Sequence, residues 1–204
     1  MAQCYICGIE LTRKKNCEKD HVPPACIFPV DHKPTNLFTV LCCTSCHDKF
    51  DVLDERMRNY LALLAITESG NAGSKAKKAV LRSPKLREEF ISHTKNHPSL
   101  KDNNGNPRLL FYFDNEELNQ WLIRIVKGLY FRRHKCRIDD DYVYKVEKLP
   151  QLTPQPSMTF PMDDGLEARP YFVYGIIEES NSDYWVLIFY DRLIFTVMAE
   201  RQQA

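Results

Sequence analysis

The chain predicts a mixed α+β fold, and three observations carry that expectation. Two Cys-x2-Cys pairs, Cys4/Cys7 and Cys43/Cys46, stand within the first 46 residues. A β-branched, apolar run from Asn36 to Leu41 leads into the second pair, and apolar residues at helical spacing follow it. Three strand-like runs separated by turn residues close the chain.

Thiolates two residues apart can share one tetrahedral zinc from a single tight turn, and two such turns complete a four-sulfur structural site. Of the adjacent Cys42 and Cys43, only Cys43 repeats the spacing of the first pair, so Cys4, Cys7, Cys43 and Cys46 are the expected zinc ligands. Cys17, Cys26 and Cys136 lack partners at ligand spacing and are expected as packed thiols. Eight cysteines also suit a disulfide framework, but seven fall within the first 46 residues. Metal binding in a reducing cytoplasm explains that clustering better.

The elements follow in order. After the second pair, Phe50, Leu53, Met57, Tyr60, Leu61 and Leu64 recur at steps of three and four, predicting an amphipathic helix from near Cys46. Residues 1–65 thus form a zinc-stapled unit. Gly70 to Gly73 breaks the pattern, and 66–106 reads as a basic helical segment and linker ending in the turn-rich Asp102 to Pro107. The third region, 107–204, reads as an α+β accessory domain with an antiparallel sheet. It begins with a short strand, Leu109 to Phe113. Asp114 and Glu117 predict a capping box for a helix burying Leu118, Trp121, Leu122, Ile125, Val126 and Leu129. A Pro-rich crossing, Pro150 to Pro161, precedes strands at Tyr171 to Ile177, Tyr184 to Tyr190 and Leu193 to Met198. Asn181 to Asp183 and Asp191-Arg192 are the turn candidates.

Composition suits a cytoplasmic protein: 44% of the 204 residues are hydrophobic, enough for a real core, and no apolar run approaches the ~18 residues of a membrane span. The net charge of +1 decides nothing, but its distribution is uneven. Between Ser74 and Lys101 lie eight basic residues, among them Lys75, Lys77, Lys78 and Arg82, against two acidic ones. Arg13, Lys14 and Lys15 form a second cluster beside the first Cys pair. Such clusters can neutralise phosphates, and solvated helix faces are the plain alternative.

Between the two Cys pairs lie Asp20-His21 and Asn36, and His47 follows the last cysteine directly. In the segments CYICG, EKDHVPPACIFP and TNLFTVLCCTSCHDKFDVLDERMRNYL, this order resembles the HNH (ββα-metal) endonuclease family. The resemblance covers Cys4 to Tyr60. A looser similarity to a branch of bacterial HNH proteins extends to Ile125–Tyr130.

The resemblance implies roles. Asp20 and His47 would hold a catalytic divalent cation, His21 would act as general base, and Asn36 would tie the loop backbone and orient that base. A carboxylate oxygen suits Mg²⁺, while an imidazole is more at home with Mn²⁺, Ni²⁺ or Zn²⁺. Family members often carry Asn where His47 stands, so the catalytic metal is Mg²⁺ or Mn²⁺ with Ni²⁺ or Zn²⁺ as alternatives. Asp51, one helical turn after His47, is a further candidate ligand, with a solvated carboxylate as the plainer reading. An ordinary imidazole titrates near pH ~6.5 and can accept a proton from water at neutral pH.

The expectation is therefore a metal-dependent HNH endonuclease with structural zinc. It would act on DNA, in a restriction or anti-phage setting, with no membrane partner. The C-terminal domain would serve as a homodimer or protein contact. Two alternatives stay open: an RNA-cleaving HNH nuclease, and a catalytically inactive zinc-stapled nucleic-acid-binding or adaptor module.

Overall fold

The computed structural model describes residues 2–12, 16–29, 32–35, 37–67, 114–149 and 171–202, with the single positions 84 and 88. Two antiparallel strands open it, β1 (Cys17–Val22) and β2 (Phe38–Cys43), in a register that sets Asp20 opposite Val40 and His21 opposite Thr39. Helix α1 (Thr44–Thr67) leaves β2 without a break. Helix α2 (Asn115–His134) follows. Then come β3 (Tyr142–Leu149), β4 (Phe172–Glu178), β5 (Ser182–Phe189) and β6 (Leu193–Arg201). These four make one antiparallel sheet in the order β3-β6-β5-β4. The fold is mixed α+β with two antiparallel sheets. No helix among the described residues is long and apolar enough to cross a membrane.

The helical spacing does what the pattern dictates. Phe50, Leu53, Met57 and Leu61 of α1 are buried, as are all six apolar positions expected of α2. They meet in one cluster with Val22, Val40, Trp185, Phe189 and Phe195, so the core runs through β1, β2, both helices and the four-stranded sheet. The 1–65 unit and the C-terminal region share a hydrophobic core, to which α2 contributes. Polar contacts reinforce the α1–α2 seam, including Arg56 to Glu117 at 2.6 Å and Lys49 to Gln120 at 3.0 Å.

Several local expectations are corrected. Asp114 caps α2 by accepting from Glu116 N at 2.8 Å, but Glu117 pairs with Arg56, so the reciprocal capping box does not form. Strand β3 was not expected; its Tyr142, Tyr144 and Val146 alternate with exposed Val143, Lys145 and Glu147. Ser182 and Asp183 begin β5, which leaves Asn181 in the connection. The next hairpin turns on Tyr190 and Asp191, both at φ 55°, the paired positive φ of a type I′ turn. Cys136 is exposed, whereas Cys17 and Cys26 are partly buried. The strand expected at 109–113, the linker at 102–107 and the Pro-rich crossing at 150–161 lie outside the described residues.

Gly128 lets α2 approach β1. A Cβ there would lie 2.5 Å from Val22 Cγ2, and Val22 is buried. Arg124 sits one turn earlier on the same face of α2, and Asp20 lies two residues before Val22 on the same side of β1. The close approach therefore brings Arg124 to Asp20. Gly128→Ala is expected to force these elements apart and cost about 1–3 kcal/mol, a loss readable as a lower midpoint in denaturant unfolding.

Candidate functional site

The first Cys pair sits in a tight hairpin. Gly8 donates its N–H to Cys4 O at 2.9 Å and Cys4 donates to Ile9 O at 2.8 Å. Gly8 holds φ +76°, the left-handed region that favours glycine. The second pair straddles the β2–α1 junction, so strand end and first helical turn present Cys43 and Cys46 to the hairpin. The thiols of Cys4, Cys7, Cys43 and Cys46 lie within 4.8 Å of one another. Among the described residues this is the one group of three or more Cys, His or carboxylate side chains gathered so closely.

Tetrahedral zinc with Zn–S bonds near ~2.3 Å needs sulfurs about 3.8 Å apart. Cys7 and Cys43 Sγ are 3.7 Å apart, so the cluster fits a metal such as zinc. Burial opposes ionisation of Cys43. Hydrogen bonds from the Ser45 hydroxyl, the Cys46 backbone and the Cys46 and Cys7 thiols outweigh it and bring Cys43 down to about 6. Cys46 moves the opposite way, chiefly through burial. Cys42 is not part of the quartet, and burial, with the charge of Asp20 next, pushes its thiol up to about 12.

Between β1 and α1 lies a cavity of about 340 Å³, with His47, the residue after Cys46, in its lining. Asp20 and His21 of β1 line it together with His47 and Asp51 of α1. Two further acidic residues, Asp54 and Glu55, and two basic ones, Lys19 and Arg58, complete its charged wall. His21 is partly buried, and its pKa is lowered by desolvation first and by the positive charge of Lys33 second, with Asp20 opposing. His47 stands on the first turn of α1, 3.7 Å from the Asp48 carboxylate.

Asp20 departs most from expectation. It is buried, and its carboxylate is held by Arg124 of α2 and by Tyr5 of the first hairpin. Arg124 Nε donates to Oδ2 at 2.9 Å, Arg124 Nη2 donates to Oδ1, and Tyr5 OH donates to Oδ2 at 2.5 Å. The other edge of the guanidinium meets Asp54 Oδ1 at 2.5 Å, and Trp121 Nε1 donates to the same oxygen at 2.7 Å. Burial raises the Asp54 pKa against the opposing pull of Arg124. Asp20 is therefore a buried ion-pair partner in this structure, not an open carboxylate. It shares the cavity wall with His47 and Asp51, but the three do not gather as tightly as the thiols do.

Asp20, His21, His47 and Asp51 thus line one cavity, and the four expected thiols gather in a cluster of their own. Asn36 and the basic residues Arg13, Lys14, Lys15, Lys75, Lys77, Lys78 and Arg82 lie outside the described residues. Sequence reasoning missed Tyr5, Asp54 and Arg124. Arg124 carried a weak signal: a charged residue between Trp121, Leu122, Ile125 and Val126, on the face of a helix otherwise meant for the core. Comparison of the chain with protein-family models, curated proteins and solved structures finds no match.

Proposed function

We propose that the chain is a metal-dependent HNH endonuclease that hydrolyses phosphodiester bonds, with DNA as its substrate. The observation that carries this reading is one cavity lined by an acid and a histidine from β1 and by a histidine from the first turn of α1, in a unit that also gathers four thiols. The β-β-α order of that unit is the arrangement the HNH resemblance implies.

The thiol cluster would hold a structural zinc with no open position and keep the β2–α1 junction rigid. His21 would accept the proton of the attacking water. Its lowered pKa keeps the imidazole neutral, and so competent as a base, at neutral pH. The one acceptor position left on Asp20 and the imidazole of His47 would be the donors offered to a Mg²⁺- or Mn²⁺-like cation. Such a cation would relieve charge on the phosphate and on the leaving oxygen.

The direct test is incubation of the purified protein with plasmid, single-stranded DNA and RNA under Mg²⁺, Mn²⁺ and Ni²⁺. Nicked or linear plasmid is the expected result. RNA cut while DNA stays intact would move the reading to an RNA-cleaving nuclease. Binding with every substrate left intact would favour the adaptor reading.

The pH dependence carries a sign. Because burial and Lys33 depress the His21 pKa, the rate should stay level as pH falls through ~6.5 and drop only below it. Lys33→Ala removes one of the two lowering influences, so it should move the acid limb toward higher pH. A pH–rate profile of both proteins checks this, and identical acid limbs would remove His21 as the titrating base.

A further inference from the structure

Arg124 belongs to neither the strand pair nor α1, yet it organises the carboxylates of the cavity. Its side chain is 3% exposed and covered by the Phe50 ring at 4.8 Å. One edge forks onto Asp20 and the opposite side meets Asp54, so a single guanidinium from the C-terminal region bridges β1 and α1. Both carboxylates line the cavity. An ionised carboxylate has about four acceptor positions. Arg124 Nε, Arg124 Nη2 and Tyr5 OH occupy three on Asp20, which leaves one. Around the wall, Asp20, Asp51, Asp54 and Glu55 outnumber Lys19 and Arg58. Arg124 stands directly behind that excess.

We infer that Arg124 is a positioning residue of the cavity: its fork fixes the orientation of Asp20, and its charge limits how tightly the cavity takes a divalent cation. The effect on rate rests on the nuclease reading, and the effect on affinity rests on the cation site which that reading places in the cavity. A planar fork sets a carboxylate's plane, whereas an ammonium supplies only a point charge, so Lys keeps the charge and loses the orientation. A neutral amide loses both.

The test uses the full-length, zinc-loaded chain. Mn²⁺ binding is measured by calorimetry, and plasmid cleavage is measured at saturating Mn²⁺. Removing a unit positive charge from behind the wall should tighten Mn²⁺ binding, so Arg124→Gln should bind it at least about tenfold more tightly than wild type. Arg124→Lys should bind Mn²⁺ within about twofold of wild type, yet cleave at least about tenfold more slowly when saturated. A purely structural role would leave the saturated rate of folded Arg124→Lys protein unchanged, and that result would overturn the inference. So would equal Mn²⁺ affinities of wild type and Arg124→Gln, or wild-type protein that takes up no Mn²⁺ beyond its zinc. If Arg124→Gln does not fold, the Arg124→Lys rate decides. A tenfold affinity shift in a protein whose wild type cleaves nothing would sink the nuclease reading while leaving Arg124 as the residue that sets cation affinity.

Discussion

Replacing His21 with alanine is expected to slow cleavage by about 10²- to 10⁴-fold while DNA binding and folding stay at wild-type levels. His21 alternates with buried Asp20 and Val22 on β1 and turns its imidazole to the cavity, so its removal leaves no hole in the core. The Asp20–Arg124–Asp54 network and the four-thiol cluster do not involve it. Loss of rate with an unchanged thermal midpoint is therefore the signature of lost base chemistry, read from plasmid cleavage beside a melting curve. Wild-type cleavage by His21→Ala protein would place the base elsewhere. His47→Asn should be milder, since an amide oxygen can still ligate a hard cation, and it should shift metal preference toward Mg²⁺ or Mn²⁺. Asp20 is a poor choice for this comparison. Asp20→Ala strips a buried Arg of one partner, and breaking such a pair typically costs about 3–5 kcal/mol, so lost activity there could mean lost fold.

The second large effect concerns the thiols. Protein purified without added metal is expected to carry about one zinc per chain, and Cys43→Ser is expected to lose both the zinc and the folded N-terminal unit. Structural zinc in small domains contributes on the order of 10–16 kcal/mol of apparent binding free energy, comparable to the whole stability of a domain. The cluster joins the first hairpin to the β2–α1 junction, and Tyr5 on that hairpin bonds both Asp20 and Leu41 O. Opening the cluster should therefore loosen the Asp20 network as well. Because Val22, Val40 and the α1 core residues share their cluster with α2 and the four-stranded sheet, the damage should spread beyond the first 65 residues. Cys17→Ser is the control: its thiol lies outside the quartet and should leave zinc content and melting unchanged. Metal analysis with hydrogen exchange on both variants checks this. Zinc-free protein that keeps native protection in β1 and β2 would defeat the structural-zinc reading.

Local rules made much of the molecule legible. The Cys-x2-Cys spacing identified the four thiols that gather, because a two-residue gap is what a tight turn needs to aim two sulfurs at one point. Helical periodicity located α1 and α2 with their buried faces, and apolar, aromatic runs bounded by turn residues located three of the four strands in the C-terminal sheet. Strand β3 escaped because its inner face, Tyr142, Tyr144 and Val146, is only half-buried and alternates with Val143, Lys145 and Glu147, a weak apolar signal in an edge strand.

By itself the sequence determined the four thiols that gather, through the Cys-x2-Cys spacing, whereas Asp20, His21, His47 and Asp51 stood out only through the HNH resemblance. Only the tertiary structure decided the state of Asp20. Its partners Tyr5 and Arg124 are 15 and 104 positions away, Asp54 on the far side of Arg124 is 34 away, and no local pattern couples them. They meet because Gly128 lets α2 press against Val22 and carries Arg124 to the inner side of β1. A buried carboxylate must find a counter-charge, and only the packed chain says which cation is close enough to provide it.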